Sequence, residues 1–292
     1  MQSKFEKMLI LAKIKAMVPF EYCRETSDSR GGAILSYYFD RKVNAGDLIG
    51  PYLIGKLAGR KVSNCRSKIP DHLLAVGSVL HEANANSYVW GAGCLSENHV
   101  SSKLRAERIF ALRGLKSLNA VQQTLDTTLE NISLGDPAVL LPEFFNPAVK
   151  SKFKIGIIPH YWHFGKVTDA LSADEHVKVI DIRCSPEQLV TQIKECEVIL
   201  STSLHGLILA DSYDIPNKWV EVASVPLLGE RFKFQDYYST TSSPNEVPLE
   251  LCEVGEFCSV LGKVKQYAQV KNFVGCKVNL RQALYNALSS MN

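Results

Sequence analysis

The stretch Cys196-Glu-Val-Ile-Leu-Ser-Thr-Ser-Leu-His-Gly-Leu-Ile-Leu-Ala-Asp-Ser-Tyr-Asp-Ile-Pro216 decides the reading of the fold. An apolar run, Val198 to Leu200, meets a polar turn at Ser201, Thr202 and Ser203, and an apolar segment of helical length begins at Leu204. Strand, turn and helix start in that order form the repeating unit of open parallel α/β sheets. In such sheets the crevice at the carboxyl ends of the strands binds ligands, and a helix beginning there directs free N–H groups and its positive end toward an anion. His205 stands in this turn with Gly206 behind it, and an imidazole titrates near neutrality unless its surroundings move it. The hydroxyls of Ser201, Thr202 and Ser203 either cap the helix or contact phosphate oxygens. A helix cap followed by a structural histidine fits the spacing as well as a site does.

The alternation extends in both directions. Phe153 to Ile158, Val177 to Ile182, Val198 to Ser201 and Lys218 to Val222 read as strands, and Ser185-Pro-Glu-Gln188 carries the cap, first-turn proline and reciprocal glutamine that open a helix to about Glu195. Toward the N-terminus, Ala33 to Phe39, Leu73 to Gly77, Tyr88 to Gly91 and Glu107 to Leu112 read as strands, with a helix over Asp47 to Ala58. Gly-containing or polar turns follow each strand, which suits parallel βα units better than hairpins. Pro142 and Pro147 mark a junction among polar residues up to Lys152. The expected architecture is α/β, two Rossmann-like domains facing a cleft, over residues 1–147 and 148–277. Asn279 is expected to cap a last helix through Leu288 that crosses back to the first half.

A chain of 292 residues is long for one core, so length also favours two domains. Apolar content of 46% and charged content of 22% match ordinary globular proteins, and a net charge of +3 without a Lys/Arg stripe argues against nucleic acid as a partner. No apolar run approaches the ~18 residues that cross a bilayer, and the expected location is cytoplasmic. The segment Lys4 to Val18 has helical apolar spacing with lysines mostly elsewhere, so it either docks on its own domain or lies peripherally on the inner face of an anionic membrane. The eight cysteines lack a C-x-x-C pair and are expected to be reduced and mostly buried.

Further candidates cluster at predicted strand ends. Asn44-Ala-Gly-Asp47 precedes a helix, so Asp47 is expected to cap it while Gly46 admits close backbone approach. Gly77-Ser78-Val-Leu-His81 places a hydroxyl and an imidazole past a strand. Arg113 ends an apolar strand, where a buried guanidinium needs either an internal carboxylate or an anionic ligand. Pro159-His160-Tyr-Trp-His163 sets two histidines over the same crevice, but with no third ligand at a recognisable spacing no metal is expected. Lys233 lies among aromatics in Phe232 to Tyr238, either contacting a sugar and phosphate or snorkelling from a half-buried helix.

Taken in order, Asn44-Ala-Gly-Asp-Leu48, Gly77 to His81, Val89-Trp-Gly-Ala-Gly93 with Glu97, Arg113-Gly114, Leu134-Gly-Asp-Pro-Ala138, Ile155 to His160 and Ser203-Leu-His-Gly206 with Ile215-Pro216 resemble the polysaccharide pyruvyl transferase family. The resemblance spans roughly residues 40 to 240. It implies a fold like the GT-B glycosyltransferases, with an acceptor-side first domain and a donor-side second domain. It also implies transfer of pyruvate from phosphoenolpyruvate onto two hydroxyls of one sugar, giving a cyclic ketal and phosphate without a cofactor. Its setting would be capsular, exopolysaccharide or cell-wall glycan synthesis, with the acceptor on a lipid carrier. By the same resemblance His205 is the acid/base residue and Arg113 holds the donor's carboxylate or phosphate. Many members carry arginine where this chain has Ser203, so a second cation must come from elsewhere, with Lys233 or a protonated His160 as the candidates. The competing expectations are a GT-B nucleotide-sugar glycosyltransferase and a non-catalytic saccharide-binding subunit.

Overall fold

The computed structural model describes residues 21–171, 174–224, 229 and 231–291. The amphipathic segment Lys4 to Val18 lies outside the described residues.

Residues 21–30 are helical and lead into a six-stranded sheet. Its strands are β1 (Ile34–Tyr37), β2 (Val62–Asn64), β3 (His72–Leu74), β4 (Ser87–Trp90), β5 (Ile109–Leu112) and β6 (Ser133–Leu134), in the order β2-β1-β3-β4-β5-β6. The second sheet comprises β7 (Phe153–Ile158), β8 (Val177–Val179), β9 (Cys196–Ser201), β10 (Asn217–Val222) and β11 (Leu249–Leu251), in the order β11-β10-β9-β7-β8. Every pairing between these strands is parallel. Parallel strands covered on both faces read as nearly continuous apolar runs, as Cys196–Ser201 does. The two sheets repeat one connectivity: the second strand pairs on one side of the first, the third on the other, so the order reverses once in each.

The connecting helices are α1 (Ala45–Ala58), α2 (Leu115–Leu125), α3 (Phe164–Leu171), α4 (Pro186–Lys194), α5 (Leu204–Ser212), α6 (Phe232–Tyr238) and α7 (Lys277–Ser290). At the start of α4 the capping box forms as read, Gln188 N donating to Ser185 Oγ at 3.2 Å and Ser185 N to Gln188 Oε1 at 3.1 Å. Two cap expectations need correction. Asn44, not Asp47, caps α1, accepting from Gly46 N at 3.0 Å, because the helix begins two residues before Asp47. Cys276 precedes α7, which places Asn279 inside its first turn. Helix α7 lies on the first sheet, where Trp90 Nε1 donates to Leu280 O at 2.7 Å.

A single apolar cluster runs through both sheets' neighbourhoods, joining Ile49 and Leu53 of α1, Leu140 and Leu141 of the 3-10 turn Pro137–Glu143, Leu207 and Ile208 of α5, and Trp219, Phe234 and Leu284. Helix α5 is tied down by a buried polar knot, in which Asp211 accepts from Asn217 Nδ2 at 2.6 Å, Tyr237 Oη at 2.9 Å and Lys271 N at 2.8 Å. All eight cysteines are free thiols, but Cys23, Cys252, Cys258 and Cys276 are exposed. The expectation of mostly buried thiols fails for these four, whereas Cys65, Cys94 and Cys196 are buried.

His72 in β3 is fully buried, with Nδ1 2.8 Å from Pro70 O and Nε2 2.9 Å from Ser87 Oγ, and burial pushes its pKa down to about 4. Below pH ~6.5 the unfolded chain takes up the proton, whereas the folded chain does not until about pH 4. His72 therefore withdraws up to about 3 kcal/mol of stability as pH falls through that window. Urea midpoints measured from pH 7 to 4 should fall less steeply for His72→Gln than for the wild type.

Candidate active site

The order reversals lie between β1 and β3 in one sheet and between β7 and β9 in the other. Crevices at the carboxyl ends of strands flanking such reversals are where open α/β sheets bind ligands. The segments leaving these four strand ends carry Asn44 to Asp47, Ser78, His160 and the turn Ser201 to Gly206.

His205 occupies the first turn of α5, its side chain 12% exposed. Its imidazole lies against Gly46 at the start of α1, where a Cβ would overlap Nδ1. Gly46 thus leaves room for the imidazole. Nε2 faces the Oδ2 of Asp136 at 3.9 Å. Burial first, then the charges of Arg113 and Lys233, push the imidazole down to about 3, so the near-neutral titration expected from sequence does not hold. His205 is neutral at physiological pH.

Arg113 is completely buried. Of the two partners open to it, the structure supplies the internal one: Nε donates to Asp236 Oδ2 at 2.8 Å, across from α6. The guanidinium also donates to Ser78 Oγ at 2.7 Å and to Cys94 O at 2.8 Å, and it fills the space over Gly93, where a Cβ would overlap it. Asp236 accepts in addition from Ser117 N at 2.8 Å and Ser117 Oγ at 2.6 Å, so it caps α2 as well. Arg113 nonetheless acts electrostatically on His205, Asp136 and Lys233.

Lys233 is buried enough that its pKa falls to about 8, with Arg113 lowering it further and Asp47 opposing. It also lowers His205 and His160. Asp47 itself is raised by burial to about 7. His160, whose N–H donates to Thr202 Oγ1 at 2.8 Å, is pushed to about 4 by burial, Lys233 and His163. Lys233, a cation at neutral pH, is therefore preferred as the second cation over His160, whose charge burial and that lysine both disfavour. His163 is likewise lowered, by burial and Lys166, with its ring 5.8 Å from that of His160, and among the described residues no cluster of three metal-ligating side chains occurs.

The serines divide by role. Ser201 Oγ donates to Ile158 O at 3.0 Å and Ser203 O at 2.8 Å and accepts from Ser203 N at 2.9 Å, which makes it the internal brace of the turn. Gly206 is required beside it, since a Cβ there would press on Ser201 Oγ. The Ser203 side chain does not cap α5. Two predicted residues stand apart from His205. The His81 ring lies 4.4 Å from that of His99, tilted by 43°, and 3.7 Å from Glu82, and Glu97 is exposed on a cavity of about 680 Å³ shared with His99, Lys116 and Phe232. Neither bonds to His205, Arg113, Asp136 or Lys233. The sequence alone does not single out Asp136 or Asp236. The signal available for Asp136 was its place in Leu134-Gly-Asp-Pro-Ala138, just after β6.

A family profile for polysaccharide pyruvyl transferase matches residues 27–222. An uncharacterized protein of Acanthamoeba polyphaga mimivirus is 30% identical over 214 residues, covering 70% of this chain and 74% of its own. The succinoglycan biosynthesis protein ExoV of Rhizobium meliloti (strain 1021) is 30% identical over 125 residues, which is 40% of this chain and 38% of ExoV. A solved structure of a functionally uncharacterized protein from Klebsiella pneumoniae aligns with 80% of this chain and 97% of its own at a TM-score of 0.46 and 10% identity. Among the described residues no helix is long and apolar enough to cross a membrane. The profile match over most of the chain, joined to the ordered motifs, shows that the chain belongs to the polysaccharide pyruvyl transferase family.

Proposed function

We propose that this protein transfers pyruvate from phosphoenolpyruvate onto two hydroxyls of one sugar residue, releasing phosphate and leaving a cyclic ketal, in capsular, exopolysaccharide or cell-wall glycan synthesis. The feature that carries this reading is the imidazole of His205, held against Gly46 and 3.9 Å from Asp136 Oδ2, with the charges of Arg113 and Lys233 acting on it. A field of that sign calls for an anion.

The donor brings a carboxylate and a phosphate. Their negative charge opposes Arg113 and Lys233, which raises His205 toward its ordinary range only when the donor is bound. The imidazolium then protonates the methylene carbon, C2 becomes an oxocarbenium-like electrophile, one sugar hydroxyl attacks and returns its proton to His205, the C2–O bond to phosphate breaks, and the second hydroxyl closes the ring as its proton leaves on the phosphate. Because the fork of Arg113 already holds Asp236, Ser78 and Cys94, Lys233 is the cation assigned to direct contact with the donor, with the first-turn N–H groups of α5 as its complement. The chemistry requires no metal or redox cofactor. The acceptor is placed on a lipid carrier, at the inner face of the membrane, and the two sheets are read as GT-B-like acceptor and donor domains divided near residue 147.

Incubation with phosphoenolpyruvate and candidate sugars, followed by phosphate release and the sugar's gain of one pyruvate ketal by mass spectrometry, tests this. Transfer from a nucleotide sugar instead, or saccharide binding without turnover, would overturn it. Gly46→Ala should lower kcat about 100-fold, since the added methyl displaces the imidazole from its reacting position, and should cost roughly 1–3 kcal/mol of stability because the overlap falls on buried atoms.

A further inference from the structure

Asp136 follows β6 and caps the 3-10 turn after it, Oδ1 accepting from Ala138 N at 2.9 Å, which fixes the plane of the carboxylate. Its other oxygen, Oδ2, is buried without a hydrogen-bond partner. It faces His205 Nε2, equally buried and equally without a partner, at 3.9 Å. A buried polar atom left unpaired costs roughly 1–3 kcal/mol, so two complementary ones turned toward each other point to a bond made in another state of the enzyme. Catalytic hydrogen bonds commonly tighten once substrate binds. The two atoms come from different sheets, and the meeting is not imposed by the local folding of either.

We infer that Asp136 is the positioning residue for His205, holding the imidazole with a proton on Nε2 and leaving Nδ1 as the nitrogen that exchanges protons with substrate. An ionised carboxylate can only accept, so the nitrogen facing it must donate. The carboxyl group, raised to about 6 by burial while Ala138 N–H and Arg113 oppose and Asp236 reinforces the rise, is ionised above that pH. When Nδ1 gains its proton, the contact becomes a charge-assisted bond that stabilises the imidazolium against the repulsion of Arg113 and Lys233. The Nε2 proton stays in place throughout, and Asp136 neither gives nor takes one.

The inference rests on the proposed reaction for the identity of the substrate but not for the tautomer, and the test separates the two. Long-range ¹⁵N–¹H spectra of the full chain labelled at histidine nitrogen, recorded at pH 8 without ligand and assigned by loss of signals in His205→Asn, report which nitrogen is protonated. The expected result for the wild type is Nε2–H. In Asp136→Asn the amide oxygen keeps the Ala138 N–H and the amide NH₂ turns to Nε2, which must now accept. The proton should move to Nδ1, and phosphate release from phosphoenolpyruvate in the presence of a sugar should fall about 100- to 10,000-fold in kcat with KM little changed. A wild-type imidazole protonated on Nδ1, or an Asp136→Asn enzyme that keeps its kcat, overturns the inference. Should the wild type release no phosphate from phosphoenolpyruvate, the proposed reaction falls while the tautomer still reports on Asp136.

Discussion

Replacing His205 with asparagine is expected to slow phosphate release from phosphoenolpyruvate by about 100- to 10,000-fold in kcat, the range a positioned general acid contributes. The fold should survive. The imidazole makes no hydrogen bond through Nε2, and α5 is held by Asp211 and an apolar face rather than by the histidine. Thermal unfolding of the variant should lie within about 1 kcal/mol of the wild type, as expected for a substitution that breaks no buried bond. Steady-state assays beside melting curves check both halves of this expectation. Near-normal turnover in the variant would remove His205 from the role of acid.

The second large effect is on stability. Asp236→Ala deletes the acceptor of Arg113 Nε, Ser117 N and Ser117 Oγ together, and it strands a guanidinium that has no exposure to water. Breaking a buried pair from one side costs about 3–5 kcal/mol, because the remaining charge stays desolvated without its partner. Urea titration should show a loss of that size. Asp236→Asn should lose less, since an amide oxygen still accepts from Ser117 while the charge attraction is gone. An alanine variant with an unchanged midpoint would mean that the Arg113–Asp236 bridge does not hold α2 and α6 together.

Much of the fold is legible because its signals are local. Phe153–Ile158 and Cys196–Ser201 are apolar runs with polar ends, and Ser185 to Gln188 is a complete helix-start signature. The strands that escape such a reading are Val62–Asn64, Ser133–Leu134 and Leu249–Leu251, two or three residues long and at or near sheet edges, too short to establish a period. The site divides in the same way. His205 is announced by the strand and helix around it, but Asp136 and Asp236 acquire their significance from side chains about 70 and 120 positions away, and no local pattern encodes that distance. Their raised or lowered neighbours follow suit: the depression of His205 comes from burial between two sheets and from two cations of separate segments. Position after a strand end was likewise insufficient for His81 and Glu97, whose loops turn toward His99 and Lys116.

The apolar cluster that threads α1, the Pro137–Glu143 turn and α5 limits how a bulky saccharide can enter. Swinging the halves apart like a clamshell would wet Leu53, Leu140 and Ile208, each fully enclosed, at about 25 cal/mol for every Å² uncovered. Admission by small displacements of the rim loops avoids that penalty. With the halves held together in this way, the breadth of acceptors would be set by the shape of those loops and not by the reach of a hinge.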